Sequence, residues 1–380
     1  MTGVVIAGAA VEPFEKRKEG TVAQIGGAAV QALLASTGIT PDQVEAAFVG
    51  SVYGGSLISQ RVMQGGAVSG QPIFTVENAC ASGGSAVHLA WQAVKAGVYE
   101  CVVAVGVDKL SVFGGGALPL TTADAETAQG MIMPATYAMR AQRYLYESGA
   151  DPVVLDEVSV KNRRNGAGNP RAHFHKEVSL DEVANSRRVA DPLHLLHCTP
   201  NSDGAAAVLI CSEDFAKQLT TPVVHIRASV VKSGKFQTSY RDMTWPDITE
   251  RAAKDAYKMS GLQPSDIDLV ELHDAFSIAE FFHAEALGIA DRFAAHKAVS
   301  SGEFDLDGRV AVSPSGGLLS RGHPVGATGV SQLAESYWQL AGMAGPIQVA
   351  GASVALTHTT GGGIFGVDNG ACSVHILTAS

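Results

Sequence analysis

The chain has 380 residues, of which 46% are hydrophobic and 17% charged, with a formal net charge of −10. That balance excludes a disordered chain and argues against a nucleic-acid partner, which calls for a basic surface. The length suits two domains or one deep-cored unit, and the 42 glycines are clustered rather than periodic, which excludes collagen and points to tight turns.

Met1 to Val11 reads as a first strand, with no basic leader ahead of it. No uninterrupted apolar run of about 18 residues occurs, so no membrane span is expected. The alanine-rich stretch from Thr21 to Thr37 has helical spacing and stops at Gly38. Val44 to Val52 reads as a strand, Ala86 to Ala96 as a helix and Cys101 to Val107 as a dense apolar strand. This alternation predicts an α/β fold with a largely buried sheet.

Residues from about 112 to 200 break the rhythm with "GGGALPL" and "NRRNGAGNPRAHFHK". Two helical stretches lie within them, Ala135 to Glu147 and Leu155 to Arg163. The segment reads either as an insertion that shapes a pocket or as a long decorated crossover. Strand signals return at Ala205 to Leu209 and Val223 to Val231, followed by a helix from Ile248 to Met259. A short repeat then appears: Gly38, Pro41 and Val44 recur as Gly261, Pro264 and Ile267. Two similar halves would bring their corresponding turns together across a pseudo-twofold axis.

The five cysteines are Cys80, Cys101, Cys198, Cys211 and Cys372. Their odd number, wide spacing and lack of a CxxC pair predict reduced thiols, a cytoplasmic setting and no structural zinc. Cys80 stands out because "NACASGGSAV" places it between a strand and a helix among small residues. Free N–H groups and the dipole of a helix start would lower its pKa and suit a covalent nucleophile. The plain alternative is a tightly packed core thiol.

Three turns carry histidines. His323, in "GHPVGATG", precedes a helix from about Thr328 and is suited to accept a thiol proton. His273, in "ELHDAF", follows an apolar strand, where it is either a hydrogen-bond donor to a developing oxyanion or a packed histidine. Asp274 or Ser277 is placed to cap the helix after it. His358 precedes Gly361, Gly362 and Gly363, whose N–H groups suit a second donor cluster. Their spacing fits neither nucleotide-loop pattern. His173 and His175 read as surface positions.

These motifs, in this order and over essentially the whole chain, resemble the thiolase superfamily, and within it the lipid-transfer-protein or sterol-carrier-protein type. The resemblance implies two similar α/β halves in a layered α-β-α-β-α core, drawn as residues 1–220, with the 112–200 insertion, and 221–380. It implies that Cys80 accepts the acyl group, that His323 activates it and that His273 occupies the place of the asparagine in "NEAF". The "SDGAAAVL" stretch from Ser202 to Leu209 also matches.

Three departures matter. Thr359 stands where a "CxGGG"-like motif carries a second cysteine, and Ala275 where "HDCF" members carry one. Ser313 replaces a common asparagine. Another proton shuttle is then required, with His358 or His273 as candidates. The implied activity is an acyl-CoA C-acyltransferase that makes or cleaves a 3-ketoacyl-CoA, with coenzyme A as co-substrate and no metal. The alternatives are a thiolase-like acyltransferase or retro-aldol enzyme on CoA conjugates without classical thiolysis, and a non-catalytic acyl-binding subunit. Gly361, Gly362, Gly363 and Arg187 are candidates for the coenzyme A or oxyanion region. Arg163, Arg164 and Arg188 are further candidates for phosphates, with solvated surface as the default. The resemblance also implies a homodimer and a small OB-fold/zinc-ribbon partner.

Overall fold

A computed structural model describes residues 3–120, 125–235, 241–365 and 368–380. Its strands are β1 (Val4–Glu15), β2 (Ala46–Gly50), β3 (Ile73–Val76), β4 (Cys101–Lys109), β5 (Arg188–Ala190) and β6 (Leu193–His194), then β7 (Asp203–Ser212), β8 (Val224–Ser233), β9 (Leu269–Glu271), β10 (Ala311–Val312), β11 (Val354–Phe365) and β12 (Asp368–Ala379). Apart from the β5-β6 hairpin, they join in the order β10-β9-β11-β12-β8-β1-β7-β4-β2-β3.

From the centre outward, β1-β7-β4-β2-β3 is matched by β8-β12-β11-β9-β10. The senses match too: β4 is antiparallel to β7 and parallel to β2, as β11 is to β12 and β9. The seam is thin, because β1 and β8 pair only through Val5 with His225 and Ile6 with Val224.

The short repeat has a physical cause. Gly38 and Gly261 end helices Val22–Thr37 and Asp247–Ser260 in the left-handed region, at φ 72° and 76°. Each returns its N–H to the preceding turn, a cap that favours glycine. Pro41 and Pro264 then open single 3-10 turns, where a missing N–H costs nothing. Val44 and Ile267 are buried just before β2 and β9.

Three apolar clusters define five layers. Val102 and Ala104 of β4 face the central cluster, whereas Cys101, Val103 and Val105 face an outer one with helices Val22–Thr37 and Ile58–Gly65. That is the alternation of a strand buried on both faces. The second outer cluster joins Val270, Leu356 and Val374 to helices Asp247–Ser260 and Ser277–Ala286. Helices Ser82–Lys95 and Thr328–Leu340 fill the central layer, through Ala86, Val87 and Ala90 on one and Val330, Leu333 and Ala334 on the other. Their starts meet through glycines. A Cβ on Gly83 would lie 2.6 Å from Gly326 O, and one on Gly329 would lie 2.3 Å from Gly84 N.

The described residues of the 112–200 segment carry two long helices, Met133–Ser148 and Val153–Ala167. The second helix runs past Arg163 because its polar face is buried in partners. Lys161 Nζ sits 3.1 Å from Glu280 and donates to Val312 O at 2.8 Å, and Asn165 Nδ2 donates to Ser313 O at 3.2 Å. Among the described residues, no helix is long and apolar enough to cross a membrane.

Candidate active site

The Cys80 turn is strained and pinned. Ala79 has φ 47°, in the left-handed region that a residue with a Cβ rarely adopts. Ser82 Oγ donates to Ala79 O at 2.6 Å and accepts from Asn78 N at 2.8 Å. Asn78 Nδ2 donates to Ser85 Oγ at 2.8 Å. These side chains start the helix at Ser82, four residues before the alanine pattern suggested. Cys80 is left half-buried at its base.

His323 is held from two sides. Buried Asp108, on β4, accepts from Gly326 N at 2.7 Å, Tyr53 N at 2.9 Å and Ser51 Oγ at 3.0 Å. Burial still pushes Asp108 up to about 6, although these donors pull it down. Ser202 Oγ accepts from His323 N at 3.3 Å and lies 2.9 Å from His173 Nδ1, which makes His173 a half-buried support rather than the expected surface residue. The "SDG" match therefore marks the strand start that holds the histidine turn.

His323 Nε2 stands 3.3 Å from Cys80 Sγ, and its Nδ1 stands 2.6 Å from Thr328 Oγ1. Thr328 Oγ1 donates its one proton to Pro324 O at 3.1 Å. In that arrangement the hydroxyl accepts from Nδ1–H, which leaves the Nε2 lone pair facing the sulfur.

His273 completes the group. Its ring lies 5.2 Å from that of His323 at 80°, and the Cys80, His273 and His323 ligand atoms all lie within 4.8 Å of one another. His273 Nδ1 is 3.2 Å from Thr360 Oγ1, while its Nε2 is buried with no protein partner. Asp274 does not cap the helix that follows it. It accepts from Leu318 N at 2.7 Å and from Asn162 Nδ2, so it holds the short helix Gly317–Arg321 that leads to His323.

The protonation states differ from the sequence expectation for the thiol. Burial pushes Cys80 up to about 12, and the Asp108 and Glu77 carboxylates add to it, against the Gly362 and Cys80 N–H groups. The net shift is upward, because enclosure outweighs these donors. His323 is held well below its usual value by burial, then by His273 and Arg321, and burial takes His273 down to about 3. The resting site is therefore a thiol beside two neutral imidazoles.

The glycine run divides. A Cβ on Gly361 would lie 2.1 Å from Asn78 O and 3.0 Å from Cys80 N, so β11 passes directly against the cysteine turn. The Gly362 N–H favours the thiolate form of Cys80, and the Gly362 carbonyl accepts from Asn369 Nδ2 at 3.1 Å. Gly363 pairs with Asn369 in the hairpin and is exposed. His358 lies apart, with Nε2 3.1 Å from Thr249 Oγ1 and its ring 4.5 Å from that of His283. Thr359 faces Ser373, at 2.6 Å between hydroxyls. Thr360 is the β11 side chain that meets His273.

Arg187 is exposed, with its backbone carbonyl on Leu195 N at 2.8 Å and its charge acting on Cys198. Arg164 pairs with Asp305, Arg188 with Asp191 at 3.3 Å, and Arg163 stacks 3.7 Å over Phe174. Ser313 has φ 54°, which explains why asparagine is common there. Sequence reading missed Asp108, Thr328 and Thr360. The only available signal was the threonine five residues after His323.

A cysteine turn and two histidine turns brought together by two like α/β halves define a thiolase-type site. The chain belongs to the thiolase family: residues 4–214 match the family described as "Thiolase, N-terminal domain" and residues 230–368 that described as "Thiolase C-terminal domain-like". It is 42% identical over 341 residues to "Benzoylsuccinyl-CoA thiolase subunit BbsB" of Thauera aromatica, covering 88% of this chain and 89% of that one. It is 41% identical to an "Acetyl-CoA acetyltransferase" of Methanothermobacter thermautotrophicus, covering 90% of each. To "Sterol carrier protein 2" of Gallus gallus it is 37% identical, over 94% of this chain and 69% of that one. Among solved structures it is similar to "Ltp2-ChsH2(DUF35) aldolase", with TM-score 0.87, 27% identity and coverage of 100% and 98%.

Proposed function

We propose that this protein makes or breaks a carbon–carbon bond in coenzyme A thioesters through an acyl-Cys80 intermediate, without the two-cysteine cycle of classical thiolysis. The contact that carries this reading is His323 Nε2, unprotonated, at 3.3 Å from Cys80 Sγ. In the cleaving direction the thiol proton passes to His323 as Sγ attacks the 3-keto carbon. The carbon–carbon bond breaks, the departing enolate takes up the proton that His323 received, and the acyl group remains on Cys80 until an acceptor removes it. Proton transfer in step with attack suits a thiol whose free pKa is far above neutral.

The Gly362 and Cys80 N–H groups serve as one oxyanion site, and His273 Nε2 with His323 as the other. Each donor contributes about 3 kcal/mol to the transition state. His273 also takes the proton-carrying role of the missing cysteine, because His358 is turned toward Thr249 and His283. Coenzyme A enters as co-substrate past Gly361 and Gly362. The helical 112–200 segment, within the half drawn as residues 1–220, covers the acyl path, and residues 221–380 form the other half. The five free thiols support a reducing, cytoplasmic setting. A homodimer joined by a small second protein is our reading of its assembly.

Retro-aldol cleavage of a CoA conjugate is the second reading, favoured by the 27%-identical aldolase of the same fold. Mass spectrometry after exposure to a panel of acyl-CoAs separates the two. We expect one acyl mass on Cys80, absent in Cys80→Ala. Carbon–carbon cleavage with no adduct in the wild type favours the retro-aldol route. Neither adduct nor cleavage across the panel rejects both.

A further inference from the structure

The same three side chains have a second capacity. Sulfur and two imidazole nitrogens form a ligand set that suits zinc-class cations. In a tetrahedral zinc site, with Zn–S about 2.3 Å and Zn–N about 2.0–2.1 Å, neighbouring ligand atoms stand roughly 3.3–3.6 Å apart. Here Sγ and His323 Nε2 are already 3.3 Å apart, and all three ligand atoms lie within 4.8 Å of one another.

The surrounding hydrogen bonds are those of ligating histidines. Metal-bound imidazoles present one nitrogen to the ion and anchor the other on a second group. His323 Nδ1 is anchored on Thr328 Oγ1 at 2.6 Å and His273 Nδ1 on Thr360 Oγ1 at 3.2 Å. The Thr360 hydroxyl can donate or accept, so it supports His273 with either a proton or a lone pair at Nε2. That Nε2 is buried with no protein partner. Buried Asp108 and the Glu77 carboxylate both act on the sulfur, and they complement added positive charge there.

We propose that Cys80 Sγ, His323 Nε2 and His273 Nε2 together bind a thiophilic divalent cation, which blocks the site reversibly. Binding displaces the Cys80 proton to solvent, one for each cation, and forms the metal–sulfur bond. The fourth position is left to water or to an exogenous thiol. The cation is no cofactor in this role. It competes with the acyl group for the same sulfur. The inference uses the site residues of the proposed function but not the reaction.

The test uses Co2+ alone as an optical probe on the intact protein. We expect one equivalent bound, a thiolate-to-cobalt charge-transfer band, release of one proton, loss of Cys80 alkylation by iodoacetamide, and reversal by chelator. Cys80→Ser should abolish the band, and Thr360→Val should weaken binding ten- to hundredfold. A band that survives in Cys80→Ser places the ion elsewhere and overturns the proposal. So does wild-type protein that takes an acyl adduct but binds no Co2+, and that outcome leaves the proposed function standing. Co2+ bound at Cys80, with no acylation by any acyl-CoA, upholds the cation site and rejects the acyl-enzyme route.

Discussion

One imidazole joins Cys80 to Thr328: His323 Nε2 is 3.3 Å from the sulfur while its Nδ1 is 2.6 Å from the threonine hydroxyl. With the hydroxyl proton on Pro324 O, Nδ1–H donates to the threonine, and this tautomer needs no carboxylate to hold it. Thr328→Val leaves a buried Nδ1–H unpaired, at a cost of about 1–3 kcal/mol. We expect the rate of Cys80 acylation to fall about tenfold. Thr328→Ser should restore it, and KM should change little. Unchanged acylation in the valine variant would show that the ring needs no such anchor.

The pH dependence follows from neutral imidazoles. An ordinary histidine loses its base form below about pH 6.5. His323 is held well below that by burial, so its lone pair persists as the pH falls. Single-turnover acylation should therefore stay level between about pH 8 and pH 6. A midpoint near pH 6.5 contradicts the buried, neutral base.

Cys80, pushed up to about 12, should behave as a thiol toward reagents that need a thiolate. Its alkylation by iodoacetamide should climb about tenfold per pH unit with no plateau through pH 10. A plateau near pH 8 would mean that the helix start governs the sulfur after all.

Asp274 tests how the two histidine turns are coupled. Asp274→Ala removes the acceptor of Leu318 N and Asn162 Nδ2 inside the core. Two unpaired donors should cost at least about 2 kcal/mol in denaturant unfolding. Acylation should fall as well, because Leu318 lies in the segment that leads to His323. A variant of wild-type stability removes Asp274 from this role.

The glycine contact between the central helices admits no side chain. Gly329→Ala sets a Cβ 2.3 Å from Gly84 N, a backbone atom that cannot rotate away. Overpacking of this kind costs about 3 kcal/mol. We expect a lower unfolding midpoint together with weaker acylation, since the two helix starts carry Cys80 and His323. Parent values for both would show that the helices separate freely.

Much of the fold is legible in the sequence because it is local. The cap glycines and the turn prolines follow from backbone sterics within a few residues, and so the repeat read from Gly38 and Gly261 marks equivalent strands. Helix Val153–Ala167 reads too short in the sequence because Asn165 and Gly166, just after Arg163, look like a break until the buried contact of Asn165 with Ser313 is known. His358 stands beside His273 as a candidate shuttle because it precedes the glycines. Strand geometry turns it toward Thr249 and hands the contact with His273 to Thr360.

The sequence by itself determined the cap and turn types at Gly38, Pro41, Gly261 and Pro264 and which turns carry a cysteine and histidines. Tertiary structure alone decided the ionisation of Cys80, the tautomer of His323 and the partner of His273. Those depend on enclosure and on atoms up to 243 positions apart in the chain, as Cys80 and His323 are. A helix start favours a thiolate only where water or a cation supports the charge. Here burial and two carboxylates oppose it, so Cys80 rests as a thiol with its base already in contact.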